Sequence, residues 1–500
     1  MTNQAITQKH MLEEQRRICR LTDQLIPQAD PIIEELIARA LAAQRLIEGW
    51  SEARIDQLLR ALAQTIADRA EELAVATVAE TGMGNVRDKA FKNRIASLGI
   101  YAQLVGQIGH GMLGFDTQRQ VAEIASPVGV VVGLVPATHP VATFSFKTLI
   151  AIKARNALIL SPSHRAQQVS NQVGALLQQV LRQHGAPVDL VQWVPTGNNR
   201  QTTAGLMSHR QVGLVLATGG PAMVKAAYRS GTPAIGVGSG NAPVLISADA
   251  DIGHAARSAV LSKSFDNGLI CGAENNLVVV AAVRAGLIGE LERHGAAVLT
   301  PEETARFLGA AVDPQTRRFQ PRIVGQDAPT LAEWAHIQRP YAIRLVVVPT
   351  EAVAAENYLA AEKLAPILSL FTVADVDEGL RVCRALLEID GRGHTAIIHT
   401  RNDVLIQRFA AQMPASRILV NSPGTQGVLG LTTGLVPSMT LGCGTWGGTS
   451  TTDNITYRHL LNIKRIAYHT APRARQVALG TDKLQPQSAL ELVGAAIRGG

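Results

Sequence analysis

The hydrophobic pattern of this chain changes character near residue 128. From 30 to about 114, apolar residues recur every three or four positions among many alanines, which predicts a helical segment ending near Gly114. From 128 onward, short apolar runs rich in β-branched residues alternate with helical segments. Such runs are typical of strands covered on both faces, and their alternation with helices predicts a parallel, doubly wound α/β sheet.

The predicted strands form two groups, which indicate two α/β units. The first group is 128–135, 157–160, 190–194 and 212–217, and the second is 241–247, 277–282, 346–348, 367–371 and 396–398. A length of 500 residues also exceeds what one hydrophobic core usually serves. We therefore expect at least two packed units.

Three strands of the first group are followed by loops, at 136–140, 161–164 and 218–221. Ligands bind beyond the carboxyl ends of parallel strands, so we expect these loops to border one binding site. In the loop 218–221, two glycines precede Pro221, which predicts a helix start that a phosphate group can approach. The GxGxxG dinucleotide motif is absent, and the glycines of 236–240 precede a strand instead of opening a helix.

Both ends of the chain and one internal segment look separate from these units. Residues 11–26 predict an amphipathic helix, which either docks on the body or tethers the chain to another protein. Residues 116–127 predict an extended arm or hairpin of the kind that joins subunits. Beyond 472 the composition is that of a linker, with a short helix predicted at 488–497.

Composition and charge exclude several classes of protein. The chain is 46% hydrophobic with no apolar run long enough to span a membrane, and its first 20 residues carry charges where a signal peptide needs an apolar segment. The four cysteines lie far apart and match neither a disulfide framework nor a metal site. The net charge of +7 is dispersed, which disfavours nucleic acid and fits a phosphate-rich small molecule. The cytosol is the expected location.

One cysteine lies in a context that favours chemistry. The stretch 264–272 contains Asp266-Asn267-Gly268, which predicts a tight turn because Asn and Gly tolerate positive φ, and Cys271 follows three residues later. A thiol just past a turn is open to a small molecule, but a nucleophile needs nearby N–H groups or a cation to stabilise its anion. The alternative is a small buried residue that only packs.

Residues 30–470 resemble the CoA-acylating branch of the aldehyde dehydrogenase superfamily, which includes propionaldehyde and acetaldehyde dehydrogenases of bacterial microcompartments. The motifs that carry the resemblance are SPVGVVVGLVPATHP (126–140), FKTLIAIKARNALILSP (146–162), TGGPAMVKAAYRSGTPAIGVGSGNAPVLI (218–246), SFDNGLICG (264–272), EKLAPIL (362–368), GHTAIIHT (393–400), ILVNSPGTQG (418–427) and LGCGTWGG (441–448). Eight blocks stand in the order that the branch has.

The resemblance implies a fold and its domain bounds. It implies two doubly wound α/β domains, one binding the cofactor and one catalytic, together with an oligomerisation arm. The expected bounds are an N-terminal extension at 1–28, a cofactor-binding domain at 29–240 with the arm 116–127, a catalytic domain at 241–440, a return to the cofactor domain and an oligomerisation segment at 441–472, and a tail at 473–500. A homodimer or homotetramer is expected, and a terminal helix is expected to bind a microcompartment shell protein if the enzyme is encapsulated.

The resemblance also implies residue roles. Cys271 is expected to attack an aldehyde and carry the acyl group as a thioester, which coenzyme A then removes. His394 is expected either to polarise the CoA thiol or to stabilise the thiolate, and Glu362 is expected to hold the nicotinamide ribose. NAD, with NADP not excluded, is expected to contact the residues of the strand-end loops: Pro136, Ser161, Ser163, His164, Thr218, Gly219, Gly220 and Gly238. No metal is expected.

Two departures from superfamily patterns bear on the reaction. Hydrolytic members carry a general-base glutamate where this chain has Val237, so we expect the acyl-enzyme to wait for a thiol. The acylating branch usually has asparagine where this chain has His139, so Thr138, His139 and the Cys271 backbone N–H are all candidates for the oxyanion pocket.

The leading interpretation is therefore a CoA- and NAD-dependent aldehyde dehydrogenase acting on propionaldehyde or acetaldehyde. Sulfoacetaldehyde is an alternative substrate, and a hydrolytic aldehyde dehydrogenase is an alternative enzyme. From a different class, a scaffolding relative with a vestigial cleft is a further hypothesis, and titration with NAD distinguishes it. A redox-responsive thiol protein is another, disfavoured because no resolving cysteine lies near Cys271 in the sequence.

Overall fold

The computed structural model describes residues 30–469 except 196, 198, 199 and 352. Its first part is a layer of five helices, with a single π-helical turn, Ile95–Gly99, between the last two. The helices are α1 Pro31–Glu48, α2 Glu52–Asp68, α3 Ala70–Thr81, α4 Val86–Arg94 and α5 Ile100–Leu104. Buried residues of α1, α2, α3 and α5 belong to the hydrophobic core that contains the first sheet, so this predicted scaffold is confirmed.

The helical segment ends earlier than its hydrophobic pattern predicts. The last helix stops at Leu104, and strand β1, Gly111–Asp116, occupies the end of the range predicted as helix. Gly106 and Gly111 have φ of 75° and 82°, which glycine adopts readily. A Cβ on Gly109 would lie 2.0 Å from the backbone oxygen of Lys153, so the chain passes too close to its neighbour for a side chain.

The first sheet has five parallel strands in the order β5-β4-β3-β6-β7. Its strands are β3 Val130–Val135, β4 Ala157–Pro162, β5 Val191–Trp193, β6 Val212–Ala217 and β7 Ala234–Gly236. Helices α6 Pro140–Lys153, α7 Gln167–Gln183, α8 Arg200–Ser208 and α9 Pro221–Arg229 connect them. The three loops predicted to border a site follow β3, β4 and β6, which are neighbours in the sheet.

The second sheet has seven parallel strands in the order β10-β11-β12-β9-β8-β13-β14. They are β8 Ala242–Ile246, β9 Glu274–Val280, β10 Ala296–Val298, β11 Leu345–Pro349, β12 Ile367–Val373, β13 Gly393–His399 and β14 Ala415–Val420. The helices are α10 Ile252–Ser264, α11 Ala281–Arg293, α12 Pro301–Ala311, α13 Ala328–Trp334, α14 Val376–Ile389, α15 Asp403–Gln412 and α16 Gly424–Val428. The doubly wound α/β architecture is confirmed.

A small antiparallel sheet forms the predicted arm. Strands β1 and β2, Val121–Pro127, form a hairpin, and β15, Leu461–Ala467, pairs along the other side of β2. The segment predicted as an extended arm or hairpin thus lies in a hairpin, which begins at Gly111, ahead of the predicted residue 116. The domain bounds predicted from the sequence stay predictions.

The predicted terminal helices at 11–26 and 488–497 lie outside the described residues. Within the described part of the chain, no helix combines the length and apolarity needed to cross a bilayer. The same part holds no group of three His, Cys, Asp or Glu side chains placed to bind a metal ion.

Candidate active site

A cavity of about 590 Å³ lies at the carboxyl ends of β3, β4 and β6, beside the loop that carries Cys271. Every residue predicted for the site except His394 lines this cavity. The members are Pro136, Thr138, His139, Ser161, Ser163, His164, Thr218, Gly219, Gly220, Gly238, Cys271 and Glu362. Residues separated by up to 226 positions in sequence thus share one wall, as the strand-end argument predicts.

Cys271 is presented by a left-handed turn. Asp266, Asn267 and Gly268 have φ of 47°, 54° and 73°, so the tight turn predicted from the sequence is confirmed. For the two non-glycine residues such a conformation is unfavourable, and surrounding contacts must hold it. Gly268 is required on two counts, because a Cβ there would also lie 2.4 Å from the backbone oxygen of Ala365. The turn therefore fixes where the cysteine loop enters the cavity wall.

The thiol of Cys271 contacts a fully buried histidine. His394 Nε2 lies 3.1 Å from Cys271 Sγ, and His394 Nδ1 lies 2.9 Å from the hydroxyl of Thr395. With Nδ1–H donating to that hydroxyl, Nε2 is free to accept a proton from the thiol. His394 stands at the start of β13 behind the cysteine and does not line the cavity. Of the two roles predicted for it, the geometry favours the one directed at the cysteine.

Burial sets the resting protonation of this pair. Burial raises the pKa of the Cys271 thiol to about 12, and Glu362 and Cys443 add to the rise, while Arg417 opposes it. Burial also holds the pKa of His394 well below its ordinary value, with Arg417 acting in the same direction. At neutral pH the resting pair is therefore a thiol and an uncharged imidazole, and the imidazole can act as a general base.

Glu362 lines the same cavity as Cys271. Its Oε1 accepts a hydrogen bond of 3.1 Å from the backbone N–H of Gly240. Burial, followed by the nearby charge of Asp390, raises the pKa of Glu362 to about 8, although Lys263 and Lys363 oppose the rise. A Cβ on Gly240 would lie 1.8 Å from the backbone oxygen of Cys271. Glycine at 240 therefore lets the glutamate, the 236–240 loop and the cysteine backbone meet.

Val237 lines the cavity with an apolar side chain. It is 7% exposed, and its N–H donates to the backbone oxygen of Ala217, which fixes its position. Among the described residues that line the cavity, Glu362 is the only carboxylate. The wall near Val237 thus offers no base that would activate water.

Two further residues approach the cysteine from the glycine-rich loop and β14. The Cys443 thiol accepts a hydrogen bond from the N–H of Gly238, with 3.4 Å between N and Sγ, and the nearby charge of Arg417 opposes the rise in the pKa of that thiol caused by burial. Arg417 Nη2 donates to the backbone oxygen of Gly442 at 2.6 Å. Sequence reasoning missed both residues as site components, although the LGCGTWGG motif contains Cys443. Nothing in the local sequence distinguishes Arg417 from a surface arginine.

Two buried lysines were also missed. Lys89 and Lys92 lie on α4 and contact the carboxylate of Asp266. In the sequence they look like two charges on the solvated face of a helix. Their burial depends on the fold of the distant turn, so the local pattern does not reveal it.

Comparison with known proteins identifies the family. The sequence model of the Aldehyde dehydrogenase family matches residues 24–451. The chain belongs to the aldehyde dehydrogenase family. The structure of this aldehyde dehydrogenase superposes on the crystal structure of an acetylating aldehyde dehydrogenase from Geobacillus thermoglucosidasius with a TM-score of 0.85 and 37% identity, covering 89% of this chain and 98% of that one.

Relatives of known activity include acylating members. The bifunctional aldehyde-alcohol dehydrogenase of Escherichia coli is 38% identical over 440 residues, which are 87% of this chain and 49% of that protein. The sulfoacetaldehyde dehydrogenase (acylating) of Cupriavidus necator is 36% identical over 440 residues, which are 87% of this chain and 88% of that protein. This aldehyde dehydrogenase spans about half the length of the bifunctional relatives that it matches.

Replacing His394 with alanine tests the general-base assignment. We expect kcat to fall by about 100-fold or more, since general acid–base groups typically contribute 10²–10⁴. The control is His399→Ala, which removes another buried histidine on β13 without touching Cys271. Steady-state kinetics with both variants check the assignment, and equal losses in the two would contradict it.

Replacing Glu362 with glutamine tests whether its pKa is raised in the folded protein. Folding raises the pKa of Glu362 from 4.5 to about 8, so the folded state is stabilised by the protonated carboxyl. This contribution to the free energy of unfolding is complete below about pH 4.5 and is lost as pH rises to about 8. We expect the Tm of the cofactor-free enzyme to fall less between pH 5 and 8 in Glu362→Gln than in the wild type. The Tm of the variant still falls somewhat over this pH range, because burial also raises the pKa of Glu274 to about 7. Calorimetry checks this against the exposed control Glu71→Gln, and parallel Tm curves for wild type and Glu362→Gln would contradict it.

Proposed function

We propose that this enzyme is a CoA-acylating aldehyde dehydrogenase, converting a short aldehyde, coenzyme A and NAD(P)⁺ reversibly to acyl-CoA and NAD(P)H. The observation that carries the proposal is the arrangement around Cys271. Its thiol has a buried proton acceptor, His394 Nε2, at 3.1 Å, while the wall position where hydrolytic members place a base is Val237. The acylating relatives support the same activity.

The first half of the reaction uses the cysteine and histidine. Cys271 Sγ bonds to the aldehyde carbon while the thiol proton moves to His394 Nε2, and the carbonyl electron pair moves to the oxygen. The resulting oxyanion needs a hydrogen-bond donor, and Thr138, His139 and the Cys271 backbone N–H are the candidates. Loss of hydride from the same carbon leaves a thioester on Cys271.

The nicotinamide dinucleotide supplies the hydride acceptor when it is bound. We assign its pyrophosphate to the start of α9, where Pro221 is the first helical residue and a Cβ on Gly220 would meet nothing within 4 Å. We assign its adenosine to the end of β4, beside Ser161, Ser163 and His164, and its nicotinamide ribose to Glu362. All of these residues line the cavity, so the side chains present fit the group.

The second half transfers the acyl group between two sulfurs. The thiolate of coenzyme A attacks the thioester carbon, and the Cys271 sulfur leaves and regains a proton. Because Val237 cannot activate water, the thioester persists until this thiol arrives. Exchange of one thioester for another is close to balanced in energy, so we expect the reaction to run in both directions.

The aldehyde that we propose is propionaldehyde or acetaldehyde, with sulfoacetaldehyde as the alternative. The apolar residues Met83, Leu269 and Val324 line the cavity and favour a short aliphatic chain. The relative from Cupriavidus necator supports testing sulfoacetaldehyde. A hydrolytic activity is disfavoured because Val237, which lines the cavity, cannot activate water.

Assembly and location are parts of the same proposal. We assign subunit contacts of a homodimer or homotetramer to the three-stranded arm, where Met112, Phe115, Ile466 and Tyr468 are exposed apolar side chains. We place the enzyme in the cytoplasm, or in a bacterial microcompartment if a terminal segment binds a shell protein. Fusion of residues 1–28 to a fluorescent protein tests the second location, and failure to co-localise with compartments would count against it.

The direct test of function is the CoA dependence of NAD(P)H formation. With acetaldehyde, propionaldehyde or sulfoacetaldehyde, we expect sustained NAD(P)H production only when CoA is present, because the acyl-enzyme has no other acceptor. Absorbance at 340 nm measures it, and Cys271→Ala gives the background rate. Release of free acid without CoA at a comparable rate would refute the proposal.

A further inference from the structure

Helix α4 places two lysines in the protein interior. Lys89 and Lys92 are 2% and 1% exposed, and their spacing of three residues puts them on one face of the helix. Both ammonium groups contact Oδ2 of the fully buried Asp266, Lys89 at 3.2 Å and Lys92 more closely. Burial lowers the pKa of Lys89 only to about 8, and the shared Asp266 carboxylate pairs both buried ammonium groups. They join α4 to the turn that presents Cys271.

The two lysines differ in their second partner. Lys89 Nζ donates to the backbone oxygen of Thr138 at 3.1 Å, whereas Lys92 Nζ lies 2.7 Å from Nδ1 of His139. An ammonium group has hydrogens to donate and no lone pair to accept with. Nδ1 of His139 is therefore the acceptor, which places the ring hydrogen on Nε2. The tautomer follows from the contact with Lys92.

The surroundings keep this imidazole uncharged. Burial holds the pKa of His139 well below its ordinary value, and the charges of Lys92 and Lys89 act in the same direction. The carbonyls of Leu269 and Thr138 favour a ring N–H, and the carboxylates on this side, Asp88 and Asp266, are engaged by other donors. His139 and Leu269 both line the cavity. The ring of His139 is thus at the cavity wall, and its N–H has the carbonyl of Leu269, two positions before Cys271, as a hydrogen-bond partner.

We propose that Lys92 is a positioning residue that acts through His139. Its hydrogen bond fixes the imidazole as an uncharged Nε2–H donor, and that N–H turns from the Leu269 carbonyl to the aldehyde oxygen when the Cys271 sulfur adds to the carbon. This inference rests on the proposed function for the reaction it serves. The donor forms a hydrogen bond to the oxyanion and transfers no proton, because the thiol proton goes to His394.

A histidine at this position needs such an orienting group for a simple reason. Either ring nitrogen can carry the hydrogen, so half of the available tautomers would present a lone pair to a developing negative charge. An asparagine always has an NH₂ group to donate, and it depends less on a partner. Lys92 removes the ambiguity that comes with His139, and Asp266 in turn fixes Lys92.

The kinetic test is a double-mutant cycle with a matched control. Lys92→Met should slow the single-turnover formation of NADH about 10-fold or more, since losing one oxyanion donor typically costs 10²–10³. Lys89→Met also loses a contact with Asp266 but none with His139, so we expect it to slow the same step by less than about 3-fold. In the His139→Asn background, we expect Lys92→Met to cost less than about 3-fold, because an amide needs no tautomer control. An equal loss from Lys92→Met in both backgrounds, or an equal loss from Lys89→Met, would overturn the proposal.

A second readout does not depend on turnover. In the wild type labelled with ¹⁵N-histidine, we expect the NMR signals of His139 to report one neutral tautomer with hydrogen on Nε2, and in Lys92→Met we expect a mixture. Lys92→Arg retains a group that donates and cannot accept, so it should keep the single tautomer, and it covers the case in which the methionine variant does not fold. An unchanged tautomer in a folded Lys92→Met protein, or a wild-type ring protonated on Nδ1, would overturn the proposal. Absence of CoA-dependent NADH formation in the wild type would instead refute the proposed function.

Discussion

The structure of this site depends on the contact between a half-buried thiol and a fully buried imidazole. Burial holds Cys271 as a thiol and His394 as a neutral base, so the reactive sulfur anion is not the resting form. A thiol is less prone to oxidation than a thiolate, and the proton passes between two atoms only 3.1 Å apart when a carbonyl carbon is in place. The nucleophile is thereby generated where the substrate is bound.

The backbone that allows this contact is held in unfavourable conformations by distant partners. Asp266 and Asn267 are both left-handed, at a typical cost of about 1–3 kcal/mol for each such residue. Hydrogen bonds offset that cost: Asp88 accepts from the N–H of Asp266 at 2.8 Å, and Asn267 Nδ2 donates to Gly325 at 2.9 Å. Because helix α4 also supplies Lys89 and Lys92, the position of the cysteine is set by a helix of the N-terminal layer.

The sequence predicts the elements whose pattern is local. Strand β6 has the predicted bounds, since an apolar β-branched run is a property of the segment itself. Strand β9 begins three residues before its predicted start, at Glu274, because its first residues are polar yet buried. Glu274 accepts from the N–H of Gly424 at 2.7 Å, and Asn276 donates to Asn241 at 2.9 Å. Those partners lie far away in the sequence, so periodicity alone places the strand too late.

In the candidate site, too, the sequence predicts the features that are local and misses those that depend on distant contacts. Strand ends, glycines and the Asp-Asn-Gly turn predict which loops meet, and the family resemblance selects the residues within them. Lys92, Arg417 and Cys443 were missed because their roles come from contacts made after folding, such as the 2.7 Å between Lys92 and His139. A charged residue on a helix gives no local sign that its partner will be a buried ring.

The most direct measurement of the central claim is the mass of the enzyme after a single turnover without coenzyme A. Enzyme mixed with propionaldehyde and NAD(P)⁺ should gain the mass of one propionyl group per chain, located on the peptide that contains Cys271, and should lose it within one turnover when CoA is added. The adduct should persist for many turnover times in the absence of CoA. An unmodified Cys271 peptide, or an adduct that decays to propionate as fast as CoA would remove it, would contradict the account.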